Sequence, residues 1–369
     1  MRVLHFGYSG NAQPGVISQL QGEIDAAEHS MFSWKVAYFC HDTSDCPFVY
    51  STKMSSGRGI VKRLARYLVL RFYAGYWLFK NRNDYDLVLI RWVVGDIFIL
   101  VYSLLAGKYI TIHHTKELEE VVHQKGIVSR VAYYVERFIG RIVLTRAQAV
   151  VAVTNEILEY EFSRIVGQSS VRGKPGFVYS NGLNMDRVRL AADQREGKPK
   201  LLFVAAQFKP WHGLDILLDE ISRFKGDLEL HIVGDVGDLD CFDERVVFHG
   251  RLSADEICVL AAKIDLAIGS LAMFRNNLTE GATLKVREYL ALGLPVFACH
   301  KDSGLPVDFP YFFKSDSIDL EKMLQIALGM RQEGRSAVRE MAKVHISKTD
   351  RVHRLFSFLS QLNGNVDKK

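Results

Sequence analysis

The chain has 369 residues and a formal net charge of +5, with 48% hydrophobic and 24% charged residues. This length allows two domains that each bury a core, and the composition excludes a disordered or fibrous chain. The five cysteines are scattered without a Cys-x-x-Cys pair, which argues against a disulfide framework or a zinc site and favours a reducing cytosol.

Signals for export or membrane insertion are weak. The N-terminal sequence MRVLHFGYSG predicts a strand and a glycine turn instead of a signal peptide. The longest apolar run, from Ile97 to Ala106, is much shorter than the roughly 20 residues of a transmembrane helix. We therefore expect a soluble protein.

Strand and helix patterns alternate along the first half of the chain. The predicted strands lie near residues 2–6, 35–39, 87–90, 109–112, 149–153 and 177–179. The predicted helices lie near residues 15–27, 59–80, 95–106, 129–145 and 156–166.

A second alternation begins at residue 200, after a polar segment (187–199) that reads as a linker. Its predicted strands lie near 201–205, 228–233, 246–249, 266–268 and 296–298. Its predicted helices lie near 214–224, 254–263, 283–292, 317–331 and 350–362. This order predicts an α/β fold of two doubly wound parallel-sheet domains, at 1–186 and 200–348, followed by a C-terminal helix in 349–369.

The most informative segment, residues 269–298, reads GSLAMFRNNLTEGATLKVREYLALGLPVFA. Glu280 and Glu288 flank the start of a predicted helix that stops at Gly293. A helix N-terminus favours a phosphate, and carboxylates accept hydrogen bonds from hydroxyl groups. The pattern therefore fits a sugar nucleotide, although spacing alone also fits two acidic residues on a surface helix.

This segment resembles the sugar-donor signature of retaining GT-B glycosyltransferases, family 4 in particular, through the two glutamates, EYLALG and GLPV. The resemblance implies two Rossmann-like domains facing a central cleft, an N-terminal acceptor domain, a C-terminal nucleotide-sugar domain and a last helix that crosses back. It also implies that Glu280 binds hydroxyls of the transferred sugar and Glu288 those of the ribose. The departing diphosphate would be stabilised by Lys285 and by backbone groups of Gly281, Ala282, Thr283 and Leu284.

Residues 203–215, FVAAQFKPWHGLD, resemble a second part of the same family's site. Where the family usually has an arginine and a lysine for the diphosphate, this chain has Gln207 and His212. If the chain binds a diphosphate as the resemblance implies, the positive charge must come from a protonated His212, from Lys209 or from Lys285. Gly234, before Asp235, matches the family's turn near the nucleotide base.

The first half offers fewer candidates. A glycine-containing loop after the first strand makes Gly10 a candidate contact for the diphosphate or the acceptor. His113 and His114 end a predicted strand, where the family has an active-site histidine. Strand register favours His113 and the His-Thr pair favours His114, while Arg91 is a weaker candidate.

The segment from Lys53 to Arg82 carries eight basic residues and no acidic one, interleaved with aromatic and aliphatic residues. This pattern predicts a helix that binds an anionic membrane surface. The alternative is a core helix with a solvated charged face, and no nucleic-acid-binding module is recognisable. The residues predicted at the membrane are Arg63, Arg66, Arg71 and Trp77.

Together these features predict a retaining hexosyltransferase that uses a nucleotide-diphosphate sugar, without a cofactor or a metal, since no D-x-D motif stands at a strand end. The TLKVREYLALGLP variant resembles enzymes of bacterial surface polysaccharide, lipopolysaccharide and lipid-linked oligosaccharide assembly. We expect a saccharide or lipid-linked acceptor and a peripheral position on the inner face of the cytoplasmic membrane. A sugar-nucleotide epimerase or hydrolase of the same fold and a non-catalytic membrane scaffold are the alternatives.

Overall fold

The computed structural model describes residues 1–54, 59–106, 108–123, 126–165, 173–239 and 243–366. The chain forms two compact units, Met1–Ser180 with Arg351–Lys369, and Asn181–Asp350. Residues 187–199, expected from their polarity to be a linker, pack on the second unit. Ala191 is buried in its core, and the Arg195 guanidinium donates hydrogen bonds to the backbone oxygens of Met330 and Glu333.

The first unit contains a parallel sheet of seven strands. They are β1 (Arg2–Tyr8), β2 (Ser33–Cys40), β3 (Val49–Ser51), β4 (Leu87–Arg91), β5 (Tyr109–His113), β6 (Val150–Ala152) and β7 (Gly176–Val178). Their order is β3-β2-β1-β4-β5-β6-β7. Since the order reverses between β1 and β4, the loops after these strands border a crevice at the carboxyl edge of the sheet.

The helices of this unit are α1 (Pro14–His29), α2 (Ile60–Lys80), α3 (Ile97–Leu105), α4 (Glu117–His123), α5 (Ile127–Arg146) and α6 (Asn155–Ser163). Neighbouring residues of β1 enter different cores: Val3 packs in one apolar cluster and Leu4 in another. Both faces of the sheet are therefore covered, as in doubly wound folds. Val352, Leu355 and Leu359 of the C-terminal helix complete the cluster that contains Val3.

The second unit contains a six-stranded parallel sheet and a short strand pair. The strands are β8 (Lys200–Gln207), β9 (Glu229–Asp235), β10 (Val246–Phe248), β11 (Leu266–Ile268), β12 (Glu280–Gly281), β13 (Val296–Ala298), β14 (Lys301–Asp302) and β15 (Phe312–Lys314). The large sheet has the order β10-β9-β8-β11-β13-β15, and β12 pairs with β14.

The helices of the second unit are α7 (Leu214–Arg223), α8 (Ala254–Ala261), α9 (Leu284–Leu292), α10 (Leu320–Gly329) and α11 (Arg335–Ile346), and α12 (Lys348–Val366) is the last helix of the chain. Leu201 and Leu202 of β8 again enter separate cores. The predicted α/β class with two Rossmann-like parallel sheets is therefore confirmed. Within the described ranges, no helix is both long and apolar enough to cross a membrane.

Candidate functional site

The segment with the two glutamates forms a short strand, a turn and a helix in the second unit. Thr283 is the N-cap of α9, and Gly293 ends the helix in the left-handed conformation, with φ of 83°. The first turn of a helix leaves backbone N–H groups without intrahelical acceptors. These groups run from Thr283 to Val286, so the predicted N–H donors at Gly281 and Ala282 precede the helix.

Four buried polar side-chain atoms around this helix start have no hydrogen-bond partner among the described residues: Ser270 Oγ, Thr283 Oγ1, Lys285 Nζ and His300 Nε2. Buried polar groups are nearly always paired, and leaving one unpaired costs about 1–3 kcal/mol. A cluster of them next to helix N–H groups supplies hydrogen-bonding capacity for an anionic or hydroxyl-rich ligand. Ser270 and His300 carried no signal in the sequence motif.

Lys285 is the cation of this cluster. Its Nζ lies 5.0 Å from the centroid of the Phe203 ring. Burial lowers the pKa of Lys285 to about 7, and the nearby charge of Glu288 opposes that shift. The side chains of Lys285 and Glu288 share a helix face because they are three residues apart. An anion beside Nζ would restore the ammonium form.

The loop after β8 places His212 close to Lys285. The backbone N–H of Lys209 donates to His212 Nδ1 at 3.0 Å, so the neutral ring carries its proton on Nε2. Burial, with the charges of Lys285 and Lys209, lowers the pKa of His212 to about 3. This lowered pKa favours the neutral form of His212 in the free protein, where Lys285 is the buried amine beside it. Gln207 and Lys209 are exposed.

Glu280 has partners within its own strand pair. Its carboxylate accepts hydrogen bonds from Lys301 Nζ at 2.8 Å and from Ser303 Oγ at 2.6 Å. Only 11% of its side chain is exposed. The strand pair therefore fixes the direction of this carboxylate, whereas Glu288 is exposed on α9.

A buried ion pair holds this strand pair against α9. The Arg287 guanidinium bonds both carboxylate oxygens of Asp302 and donates to the backbone oxygen of Asn181 at 3.1 Å. Asp302 pairs in register with Gly281, next to Glu280. Arg287 and Asp302 therefore position the strand that carries Glu280, which the sequence pattern did not reveal.

Two glycines allow close backbone approach. Gly234 has φ of 127°, and a Cβ at this position would lie 1.6 Å from the Ala205 backbone oxygen. A Cβ on Gly281 would lie 2.8 Å from both His300 Cδ2 and Met273 Cε. A side chain at Gly234 would therefore clash with backbone, and one at Gly281 would force Met273 or His300 to shift, independently of any ligand.

In the first unit, the structure separates the two histidines. His113 is fully buried beside the Trp92 ring, whose centroid lies 4.8 Å away. His114 is half-buried, and its Nε2 accepts a hydrogen bond from Arg91 Nη1 at 2.6 Å. Gly10, two residues after the end of β1, is exposed. His114 and Arg91 are therefore the accessible pair at this edge of the first sheet.

His113 belongs to a buried charge cluster. Its Nδ1 lies 3.2 Å from Glu117 Oε2 and 3.6 Å from Glu161 Oε1. Burial lowers the pKa of His113, but these two carboxylates outweigh that effect and raise it. The donor atoms of the three residues lie within 4.8 Å of one another, which is close enough to hold a metal ion. Arg164 ion-pairs with Glu161 at 2.7 Å, so the protein already compensates part of this negative charge.

The four residues predicted at a membrane surface all lie on α2, but they differ in how far their side chains are exposed. Arg63 is exposed and Arg66 is half-buried. The Arg71 guanidinium stacks 3.5 Å from the centroid of the Tyr67 ring. Trp77 does not face outward as predicted: it packs on Phe39, at 5.6 Å between ring centroids, because its side of α2 lies against the sheet.

The comparison with protein families concerns the second unit. Residues 198–307 match the family described as glycosyl transferases group 1. The matched segment contains the β8 loop, α9 and the β12–β14 pair. A search of curated protein sequences finds no significant match.

Solved structures match nearly the whole chain at low sequence identity. The lipopolysaccharide outer core galactosyltransferase WaaB superposes with a TM-score of 0.66 at 15% identity, over 97% of this chain and 99% of that one. Sucrose-phosphate synthase from Thermosynechococcus elongatus gives 0.65 at 14% identity, over 99% and 100%. Anabaena HepE in complex with UDP-glucose gives 0.61 at 14% identity, over 98% and 100%.

These likenesses establish the fold. The chain has the GT-B architecture of two Rossmann-like domains shared by glycosyltransferases such as WaaB and HepE. Within its second unit, residues 198–307 are similar to the glycosyl transferases of group 1.

Proposed function

We propose that the protein is a retaining glycosyltransferase that moves a hexose from a nucleotide-diphosphate sugar to a lipid-linked saccharide. The observation that carries the proposal is the buried, unpaired amino group of Lys285 at the start of α9, inside the segment that matches group 1 glycosyltransferases. A buried amine with a pKa near 7 gains most from an anionic partner. A diphosphate is such a partner.

In this proposal the second unit holds the leaving group. The Lys285 ammonium, the Thr283 hydroxyl and the α9 N–H groups stabilise the charge that develops on the diphosphate. The neutral His212 ring, protonated on Nε2, contributes a hydrogen-bond donor instead of a charge. These groups would take the place of the arginine and the lysine that the family usually has at the positions of Gln207 and His212.

The two carboxylates would bind hydroxyl groups. Glu280, fixed by Lys301 and Ser303, accepts hydrogen bonds from the transferred sugar. Glu288, exposed on α9, accepts them from the ribose. The bond between the anomeric carbon and the diphosphate oxygen breaks while the acceptor oxygen bonds that carbon from the same face. The acceptor proton passes to the leaving diphosphate oxygen, so retention needs no separate base.

The first unit would bind the acceptor. His114 and Arg91 lie at the carboxyl edge of its sheet, where ligands of α/β folds bind. His114 is the better candidate of the histidine pair for contact with the sugar, since His113 is buried within a charge cluster. Gly10, in the loop after β1, has no atom within 4 Å of the position of a Cβ, so the loop is open at this residue.

A lipid-linked acceptor fits the outer surface of the first unit. Three neighbouring helices, α2, α3 and α5, expose apolar stripes that we call the three-helix apolar surface. It consists of Val61, Leu64, Leu68, Phe72 and Tyr76 on α2, Ile97, Val101, Leu104 and Leu105 on α3, and Val131, Tyr134 and Phe138 on α5. Large exposed apolar patches mark interaction sites, and nearby arginines favour anionic lipid.

This surface supports a peripheral position on the cytoplasmic face of the membrane, where lipid-linked saccharides of surface polysaccharide or lipopolysaccharide are assembled. HepE binds UDP-glucose, so UDP sugars are the first donors to test.

The test measures nucleotide release from UDP-glucose, UDP-galactose, UDP-N-acetylglucosamine and GDP-mannose, with and without bacterial lipid extract. We expect one donor to release nucleotide faster with the extract and to label the lipid phase through an α-linkage. Equal release without an acceptor would indicate a hydrolase, and a β-linked product would exclude retention. If no donor is bound or consumed by the folded protein, the scaffold alternative replaces the transferase.

A further inference from the structure

Two cavities of the first unit lie side by side and have opposite chemistry. The smaller, about 350 Å³, is lined by Tyr8, Ser9, Gly10, His41, Arg63, Arg66, Tyr67, Leu70, Arg71 and Val93, and we call it the basic pocket. The larger, about 680 Å³, is lined by Ser51, Thr52, Leu68, Val69, Phe72, Tyr73 and Phe98, and we call it the apolar groove. Both volumes fall in the range of small-molecule sites.

The two cavities are lined by neighbouring residues. Helix α2 contributes Tyr67 to the basic pocket and the next residue, Leu68, to the apolar groove. On the opposite wall, His41 of the pocket and Thr52 of the groove are joined by a hydrogen bond of 2.6 Å between Nδ1 and Oγ1. This adjacency is what a ligand with a charged head and an apolar tail would require.

The pocket is strongly cationic. It contains three guanidinium groups, and none of its described lining residues is acidic. Arg71 is ion-paired with Asp96 at 3.3 Å, and Arg66 donates to the backbone oxygen of Met54. Arg63 is exposed. Asp96 balances the charge of Arg71 only, so Arg63 and Arg66 give the pocket its net positive charge. Such a pair of guanidinium groups suits a phosphate group.

We propose that the basic pocket binds the phosphate or diphosphate of a lipid carrier and that the apolar groove holds the first part of its hydrocarbon chain. The pocket reaches Ser9 and Gly10 at the carboxyl end of β1, the edge at which α/β folds bind ligands. This assignment rests on the proposed function for the role of the lipid as acceptor carrier. In this assignment, the arginines that the sequence predicted to bind bulk anionic lipid bind one specific lipid phosphate.

The direct test is calorimetric titration of the full chain with farnesyl diphosphate, inorganic diphosphate and farnesol. We expect farnesyl diphosphate to bind most tightly. Arg63→Gln with Arg66→Gln should weaken its binding at least about 10-fold, as expected for lost charged hydrogen bonds. The matched control is Arg137→Gln with Arg141→Gln, two exposed arginines of α5 outside both cavities, which should change nothing.

The groove is tested with Leu68→Ser and Phe72→Ser. Both side chains are exposed, at 48% and 60%, so the fold should tolerate the changes, and thermal unfolding verifies this. The double variant should weaken farnesyl diphosphate binding and leave inorganic diphosphate binding as it was. An equal loss for both ligands, or for neither, would contradict the groove assignment.

Lys285→Met separates this proposal from the proposed function, because it removes the cation of the second unit only. Lys285→Met should weaken UDP binding and leave farnesyl diphosphate binding unchanged, whereas the variant of Arg63 and Arg66 should do the reverse.

If Lys285→Met abolishes farnesyl diphosphate binding, the lipid carrier is not bound in the first unit, although the proposed function stands. If the arginine variant loses only binding to phosphatidylglycerol vesicles, the arginines serve bulk lipid and the pocket assignment is wrong.

Discussion

The amino group of Lys285 lies 5.0 Å from the centre of the Phe203 ring, and no hydrogen-bonding group of the described residues reaches it. The aromatic face attracts the cation, but such contacts are worth only about 0.5–2 kcal/mol. Burial therefore dominates and lowers the pKa of this amine to about 7. The free protein keeps an unsatisfied amine at the position where we place the diphosphate.

Replacing this amine should weaken ligand binding and stabilise the free protein. Lys285→Met removes a buried unpaired group whose presence costs about 1–3 kcal/mol. We expect the free energy of unfolding to rise by about that amount, while the affinity for UDP falls about 10- to 100-fold. Chemical denaturation and calorimetry measure the two effects on the same sample.

The matched control is Lys263→Met, since Lys263 is exposed at the end of the α8 region. It should alter neither quantity. A Lys285→Met protein that is less stable and binds UDP normally would show that the amine has a structural role only.

The pH dependence of UDP binding should report Lys285 and not His212. In the proposed function the ammonium form of Lys285 binds the diphosphate, and this form is lost in the free protein as the pH rises through about 7. Affinity should therefore fall from about pH 7 upward, by up to about 10-fold per pH unit. Lys285→Arg, whose guanidinium stays charged, should remove this decrease, whereas His212→Gln should leave it in place because the pKa of His212 is about 3.

Stability of the free protein should show the opposite trend. Between the lowered pKa of Lys285 and its ordinary value of 10.5, the unfolded chain binds a proton that the folded chain does not. Stability therefore rises with pH across that interval. Lys285→Met should remove this rise in urea titrations at a series of pH values, and an unchanged slope would mean that the amine is not desolvated.

The fold was predictable because most strands are short apolar runs after clear turns. Leu266–Ile268 and Val296–Ala298 have the bounds that the sequence predicted. Strand Val49–Ser51 was missed because its three residues are half-buried and lack a pattern. Helix Arg335–Ile346 was missed because it is rich in charged residues and buries only three apolar side chains, Val338, Ala342 and Ile346.

The candidate site was only partly predictable, because motifs report local spacing and not tertiary contacts. Spacing located Lys285 next to the helix start. The spacing could not show that Arg287, one turn into the helix, is fully buried in an ion pair with Asp302. An arginine on a helix usually lies in solvent. Ser270 and His300 follow different strands, so only the sheet brings them to Lys285.

Glu280 should matter for catalysis more than its ion-pair partner does. Glu280→Gln removes the carboxylate charge to which we assign hydrogen bonds from the sugar hydroxyls, and we expect the turnover rate to fall about 10- to 100-fold. Lys301→Met should cost less than about 5-fold, because Lys301 is 47% exposed and surface ion pairs contribute little. Sugar transfer assays with both variants compare the two, and the reverse order would contradict the assignment of Glu280.

Gly234 should be needed for folding itself. Gly234→Ala combines φ of 127° with a Cβ placed 1.6 Å from the Ala205 backbone oxygen, so we expect a loss of about 3 kcal/mol or more. Gly237→Ala is the matched control, with φ of 65° and no atom within 4 Å of its Cβ, and should cost about 1 kcal/mol. Urea denaturation compares them, and equal losses would indicate that the backbone at Gly234 relaxes freely.

The three-helix apolar surface should bind lipid through its aromatic residues. Tyr134 and Phe138 on α5 are 67% and 68% exposed, so Tyr134→Ser and Phe138→Ser together should leave the fold intact. The fraction that sediments with phosphatidylglycerol vesicles should fall about 10-fold or more, because the variant lacks the two rings whose transfer from water into the lipid favours binding. Val259→Ser with Phe274→Ser provides the control, since those side chains are as exposed but belong to the second unit. High salt separates the electrostatic and the apolar contributions to vesicle binding, because it weakens only the attraction between the arginines and the anionic lipid. The binding that remains at high salt should be apolar, and the aromatic substitutions should remove it.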